Sequence, residues 1–225
     1  MRHQDVKDAL RKVRRIGFGL FFVSLTLIGC GSGGSGIWHG TFMDCTVEGL
    51  TFKTETMSGE TDSQGVFSYR QGEKVTFSIG GIVLGTATAK SAMTPVDLVA
   101  GAQNETDPTV TNITRLLITL DEDNIIGNGI TISPEVREAL VGASINFDQD
   151  PAVFAQDAEV LEVINTVNLH FNLVGMGERT LCSVEEAQDH LGNTLDELAK
   201  NGYDHTSASG GHGGSGSGGG GGGCG

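Results

Sequence analysis

The spacing of apolar residues in this chain changes near residue 99. Across residues 41–98, apolar and polar residues alternate in short runs broken by glycine, which is typical of half-buried strands. Across residues 99–206, apolar residues recur every three or four positions, which is typical of helices that bury one face. The sequence therefore predicts an α+β fold with a β-rich first part and a helical second part.

A hairpin is the clearest local prediction. Val75, Phe77 and Ile79 alternate with polar residues, and Gly80-Gly81 separates them from a second apolar run. Two adjacent glycines supply the positive φ angles of a tight two-residue turn. An earlier strand is predicted over 47–53.

Four helices are predicted after the change of period, because each has a start signal. Asp107-Pro108, Ser133-Pro134 and Asp150-Pro151 each place a capping side chain before a proline. Ser183 and Glu186 have the spacing of a capping box. The apolar faces expected for the third and fourth helices are Val160, Leu161, Ile164 and Val167, and Ala187, Leu191, Leu195 and Leu198.

The N-terminus has the order of an export signal. Basic residues precede an apolar segment, Ile16–Ile28, which is shorter than the roughly 20 residues that span a bilayer. The tetrapeptide Leu27-Ile28-Gly29-Cys30 resembles the bacterial lipobox, whose cysteine receives a diacylglycerol before cleavage. The resemblance implies a signal peptide over 1–29 and lipidation of Cys30. The alternatives are an ordinary secretory signal or a short membrane helix with a chance cysteine.

The predicted mature protein is strongly acidic. Cleavage before Cys30 removes six of the 14 basic and two of the 28 acidic residues, which leaves 8 against 26 and a net charge of about −18. Such a surface repels phosphate backbones and disfavours nucleic acid as a partner. The lipobox resemblance implies a membrane partner through the lipid. Because Gly31 rather than aspartate follows Cys30, the outer membrane is the expected location in a Gram-negative cell.

A second resemblance covers part of the β-rich region. The run Thr61-Asp62-Ser63-Gln64-Gly65-Val66-Phe67-Ser68-Tyr69 resembles the T-D-x-x-G-x-F motif of carboxypeptidase-regulatory-like and transthyretin-like modules. The chain from Gly72 to Ile130 is similar to a module that recurs in bacterial surface lipoproteins. These resemblances imply a small antiparallel β-sandwich-like unit over 41–98, which precedes the four-helix region that period and capping signals predict over 99–206.

Glycine-rich segments flank the foldable part. Residues 30–40 are predicted to be a lipidated linker, and residues 207–225 a disordered tail, because glycine and serine cannot bury enough apolar surface to fold. In an exported protein disulfides are permitted. Cys45 and Cys182 lie in foldable sequence and are the predicted pair, with Cys224 left over in the tail. The alternative is that all three are free thiols.

One loop is a candidate cation site. Asp121, Asp123 and Asn128 place oxygen atoms on a loop between two helices, and Ca²⁺ prefers several such ligands. The loop is not an EF-hand, since Ile132 stands where the last ligand would be glutamate. The alternative is a solvated polar turn. The Ca²⁺ site is thus a prediction about stability, not catalysis.

The remaining polar residues indicate no reaction. Asp148, Asp150 and Asp157 surround a helix start, where capping explains them. His39, His170 and His190 are isolated in sequence, and His190 is expected on the surface of the fourth helix.

The predicted function is therefore a lipid-anchored envelope protein that acts as a non-enzymatic binding, adhesion-like or structural component, with a protein or carbohydrate partner at the cell surface. The alternative is an accessory or catalytic protein that acts on envelope polysaccharide through paired carboxylates.

Overall fold

The computed structural model of the chain describes residues 36–202, which belong to one structural unit. The predicted signal peptide, Cys30, Cys224 and the Gly-rich tail lie outside the described residues. Within residues 36–202, no helix is both long and apolar enough to cross a membrane. The mixed class is confirmed, since this part of the chain forms both antiparallel sheets and helices.

The strands of this part form three sheets. In chain order they are β1 (Trp38–Phe42), β2 (Val47–Glu48), β3 (Thr51–Lys53), β4 (Ser58–Glu60), β5 (Val66–Tyr69), β6 (Lys74–Ile79), β7 (Ile82–Thr88), β8 (Ala92–Met93) and β9 (Ile130–Thr131). The largest sheet has the order β4-β3-β6-β7 and is antiparallel. A second sheet has the order β5-β1-β8, and β2 pairs in parallel with β9.

The predicted hairpin at the glycine pair is confirmed. β6 and β7 pair antiparallel on either side of it, and Gly80 has a φ of 56°. The turn also packs against the helical region. The amide of Gly81 donates to the carbonyl oxygen of Leu140 at 2.9 Å, and a Cβ on Gly81 would lie 2.6 Å from the carbonyl oxygen of Ala143. Both the backbone angle and the close approach therefore require glycine here.

The predicted strand over 47–53 is divided in two. Gly49 has a φ of 84°, and the chain turns there from β2 into β3. Because β2 pairs with β9 while β3 joins the four-stranded sheet, the break lets one short segment contribute to two sheets.

A turn that Asp62 stabilises leads into β5. Oδ1 of Asp62 accepts hydrogen bonds from the amides of Gln64 and Val66, each at 2.9 Å. This side chain replaces the missing strand partners of the turn. Phe67 and Tyr69 then point to the same, buried side of β5.

The helical region has five α-helices within the described residues, preceded by a 3₁₀ helix, Pro95–Leu98. They are α1 (Pro108–Thr119), α2 (Pro134–Ala139), α3 (Pro151–Phe154), α4 (Ala158–Val174) and α5 (Val184–Lys200). The predicted N-caps of α1, α2, α3 and α5 each accept a backbone hydrogen bond. The predicted third helix is two helices, because Asp157 caps a new helix at α4. Leu161 is consequently 44% exposed rather than buried.

Helix α1 lies at the centre of the unit. Every residue from Val110 to Leu120 is buried, including its polar ones. Arg115 donates to the carbonyl oxygens of Cys182 at 2.7 Å and Pro151 at 2.8 Å. Asn112 donates to two more carbonyls in the segment before α3. These bonds satisfy backbone groups of irregular segments that the helix buries.

One hydrophobic core joins the strands to the helices. The ring of Phe77 on β6 lies 4.7 Å from that of Phe42 on β1 and 5.1 Å from that of Phe67 on β5. Leu116 and Leu117 of α1 belong to the same core. Full burial of each phenylalanine contributes about 1.5–3 kcal/mol, so this shared core is a main source of stability.

Candidate functional site

A groove of about 580 Å³ lies between the N-terminal half of α5 and the loop that follows α1. Its α5 side carries three carboxylates, Glu185, Glu186 and Asp189, and its loop side carries Ile126 and Gly127. We call it the acidic groove. It has a negatively charged wall and an apolar lip, since the side chain of Ile126 is exposed.

The sequence of α5 explains how it presents this wall. Ser183 begins the helix, and its hydroxyl oxygen accepts from the amide of Glu186 at 3.1 Å. The predicted apolar face is buried, which is confirmed for each of its members: Ala187, Leu191, Leu195 and Leu198. Because this face packs inward, the acidic residues of the first turns are left at the groove.

A buried carboxyl group lies behind the groove. Asp44 is fully buried, and neither oxygen of its carboxyl group makes a hydrogen bond. Nε2 of His190 is 3.4 Å from Oδ1 of Asp44 but closer, at 3.2 Å, to the backbone oxygen of the same residue. Burial raises the pKa of Asp44 to about 7, and the charge of His190 opposes that rise. The carboxyl group therefore changes charge near neutral pH.

His190 corrects one of the sequence predictions. It was expected at the surface, yet it is only 7% exposed and lines the acidic groove in contact with Asp44. The signal was present in the sequence. His190 follows Ala187 by three positions and precedes Thr194 by four, and both neighbours are buried, so helical spacing places it on the inner face.

The other two candidate histidines have local contacts. Nδ1 of His39 lies 3.2 Å from the hydroxyl oxygen of Ser68 on the neighbouring strand, and the ring centroid of His170 is 5.7 Å from that of Phe171. Neither contact pairs the histidine with a carboxylate.

The predicted Cys45–Cys182 bridge is not formed, since Cys182 is a free, buried thiol. Its thiol donates to the carboxylate of Glu186 at 3.3 Å, and its amide donates to Thr119. Burial, and then the hydrogen bond to Glu186 and the charge of that carboxylate, raise the pKa of the Cys182 thiol. It is therefore a thiol rather than a reactive thiolate at neutral pH.

Cys45 lines the acidic groove. It has a φ of 55°, and its amide donates to the hydroxyl oxygen of Thr194 on α5 at 2.9 Å. This bond fixes the segment of Asp44 against α5. The predicted pair does not form because the position of a cysteine within foldable sequence does not determine which side chains meet.

The predicted Ca²⁺ ligands are brought together, but they bond to one another. The carboxyl groups of Asp121 and Asp123 are hydrogen-bonded, and Nδ2 of Asn128 donates to Oδ2 of Asp123 at 2.8 Å. Oδ1 of Asp121 also accepts from the amide of Thr131 at 2.9 Å. Among residues 36–202, no group of three or more acidic, histidine or cysteine side chains is arranged to hold a metal ion.

A shared proton explains this carboxyl pair. Burial raises the pKa of Asp121 to about 6. The hydrogen bond from Thr131 opposes this rise, and the charge of Asp123 adds to it. The hydrogen bond from Asn128 lowers the pKa of Asp123. A protonated Asp121 can thus donate to an ionised Asp123.

The same pair does not fit glycoside hydrolysis. Retaining enzymes hold their two carboxyl groups about 5–5.5 Å apart so that the sugar fits between them. Asp121 and Asp123 are in direct hydrogen-bond contact, so no sugar bond fits between their carboxyl groups.

The geometry of the groove therefore indicates binding of a positively charged group more readily than a reaction. Comparison with known proteins adds no assignment, because no protein-family profile, curated protein or solved structure matches this chain.

Proposed function

We propose that this protein is a lipid-anchored lipoprotein of the cell envelope whose folded part is a non-catalytic binding domain. Its ligand is a cationic group on a protein or other partner at the cell surface. The anchor is the lipid on Cys30, and the outer membrane is its location in a Gram-negative cell. The binding surface is the acidic groove.

The observation that carries this proposal is the arrangement of charges in the groove. Glu185, Glu186 and Asp189 line one wall within two helical turns, and the groove belongs to a mature chain with about 18 excess negative charges. A field of one sign attracts cationic ligands and accelerates their association. The exposed Ile126 at the lip supplies apolar contact for the aliphatic part of a lysine or arginine side chain.

We propose that the β5-β1-β8 and β4-β3-β6-β7 sheets are the two layers of a sandwich-like module. The support is the contact between rings of opposite sheets, with Phe77 against both Phe42 and Phe67. In this proposal, the module is a scaffold and the helical region carries the groove.

The anchor is tested in cells that express the full chain. Labelling with a palmitate analogue is expected to mark the wild type and not Cys30→Ala, which lacks the acceptor thiol. Equal labelling of both proteins would remove lipidation from the proposal.

The groove is tested by titrating the full chain with a lysine-rich peptide at low and high salt. Exposed charge pairs each contribute about 0.2–1 kcal/mol, so Glu185→Gln with Asp189→Asn should weaken binding by between about twofold and about thirtyfold. Affinity should fall as salt rises, because the attraction is screened.

The matched control changes the same number of charges elsewhere. Glu159→Gln with Glu162→Gln alters a second cavity, beside α4, and should leave the affinity nearly unchanged. If both double variants weaken the peptide equally, binding follows net charge and the groove is not the site.

A further inference from the structure

Two apolar side chains are exposed where the described part of the chain begins. Ile37 is 58% exposed and Trp38, the only tryptophan of the protein, is 46% exposed. Trp38 stands on the same face of β1 as the fully buried Phe42, since strand residues two and four apart share a face. This apolar face of β1 is therefore buried at Phe42 and exposed to solvent at Trp38.

This end of β1 is also a sheet margin. Trp38 is opposite Tyr69 of β5, whereas β8 pairs with β1 only at Thr41 and Phe42. Within the described residues, no strand is paired with the β8 side of Trp38. The β8 side of Trp38 is therefore open, and the aromatic ring of Trp38 is available for contact.

Charge distinguishes this end from the rest of an acidic molecule. The segment from Gly36 to Met43 has no acidic residue, and Arg70 directly follows the residue that Trp38 faces. A negatively charged lipid surface repels the carboxylates that dominate elsewhere, so this end is the one that can approach it.

We infer that Ile37 and Trp38 contact the membrane interface in the anchored protein. The inference rests on the proposed lipidation of Cys30, which lies eight residues before Trp38. Even fully extended, eight residues span at most about 28 Å, so the anchor keeps the exposed ring near the bilayer. Tryptophan favours the interfacial layer because its ring is apolar and its N–H group is polar.

The consequence is a preferred orientation. Lipid and ring together hold the start of β1 against the membrane, which limits rotation of the domain about its tether. Another apolar patch, at the end of α4, has Leu173 at 86% exposure but no link to the anchor in sequence. It serves as the internal control.

The experiment uses the natural lipoprotein, purified in detergent and reconstituted into phosphatidylcholine and phosphatidylglycerol vesicles. Because Trp38 is the only tryptophan, its fluorescence reports this position alone. Replacing part of the phosphatidylcholine by lipid brominated on the acyl chains should remove most of the Trp38 emission. The emission should also lie at shorter wavelength than in the chain from Gly31 onward, which carries neither the apolar signal segment nor the lipid and stays in solution. Ile37→Ser should reduce the quenching, since it removes neighbouring apolar contact.

A relocated reporter gives the matched control. In the double variant Trp38→Phe, Leu173→Trp, quenching by brominated lipid should be lost while flotation with vesicles is retained. Lipoprotein that floats with vesicles but whose Trp38 is unquenched overturns this inference and leaves the anchor intact. Lipoprotein that does not float overturns both the anchor and this inference. A blue shift that depends on protein concentration and not on brominated lipid assigns the surface to a second copy of the chain and also overturns it.

Discussion

Asp44 and Asp121 are two buried carboxyl groups whose surroundings differ in hydrogen bonding. Asp44 is fully buried, its carboxyl oxygens make no hydrogen bond, and its pKa rises to about 7. Asp121 is 4% exposed, accepts from the amide of Thr131 and is bonded to Asp123, and its pKa rises only to about 6. Burial is the main cause in both, so the difference shows how far local donors offset desolvation.

The same difference separates two ways of keeping acid groups inside an acidic protein. In the 121–129 loop, a proton and neighbouring amides relieve the repulsion between carboxyl groups. At Asp44, only the charge of His190 favours ionisation, and it acts without a hydrogen bond to the carboxyl oxygens. Asp44 should therefore dominate the pH dependence of stability.

The largest expected effect comes from Asp44→Asn. The pKa of Asp44 is raised on folding, so the native state binds the proton more tightly than the unfolded state. The resulting stability is fully present below about pH 4, where both states are protonated, and is lost as pH rises through about 7. Asparagine cannot ionise, so at pH 8 the variant should be more stable than the wild type by about 4 kcal/mol.

Urea unfolding at pH 5 and pH 8 measures this effect. Asp148→Asn is the matched control, since the same change at an exposed position should leave the free energy of unfolding unchanged at both pH values. Wild-type stability that is constant between the two pH values would show that Asp44 is ionised at little cost, and the contrast with Asp121 would fail.

A smaller effect is expected from Asp121→Asn. Its carbonyl oxygen can still accept from Thr131, and its amide can donate to Asp123, so the loop keeps its bonds without a shared proton. The wild type loses this contribution as pH rises from about 4 to about 6. The variant should gain up to about 3 kcal/mol at pH 8, measured by the same unfolding experiment. A loss of stability instead would mean that the shared proton is not replaceable by an amide.

His190→Gln should change the pH at which stability is lost more than the free energy of unfolding itself. Without the charge of His190, the pKa of Asp44 should rise further, because that charge lowers it. The midpoint of the stability loss should move to higher pH, with less than about 1 kcal/mol of change at pH 5. The pH profile of unfolding checks this, and an unmoved midpoint would show that Asp44 does not sense His190.

The hairpin and the carboxyl sites differ in how well sequence predicts them. The Gly80-Gly81 turn and the caps of the helices follow from rules that involve a few neighbouring residues, and the structure forms them. The contact between Asp44 and His190 joins positions 146 residues apart, which no local rule reaches. The helical spacing of His190 could have indicated burial, but not its partner.

Two local predictions were wrong about length, because a cap or a glycine divides the predicted element. Asp157 divides the predicted third helix, and Gly49 divides the strand over 47–53. Both residues are turn and cap formers that were visible in the sequence. The Cys45–Cys182 pairing needed tertiary information, because Cys182 faces Glu186.

The smallest expected effect is the response of the 121–129 loop to Ca²⁺. Asp121, Asp123 and Asn128 already satisfy one another through hydrogen bonds, and the amide nitrogen of Asn128 faces Asp123. Binding would have to turn that amide and break its bond to Asp123. We therefore expect millimolar Ca²⁺ or a chelator to leave the Tm of the full chain unchanged at pH 7. A ligand that binds only the native state at 100 times its Kd adds about 2.7 kcal/mol, which would appear as a clear rise in Tm. A rise that Asp121→Ala with Asp123→Ala abolishes would restore the calcium site, and would show that a cation replaces the proton between the two carboxyl groups.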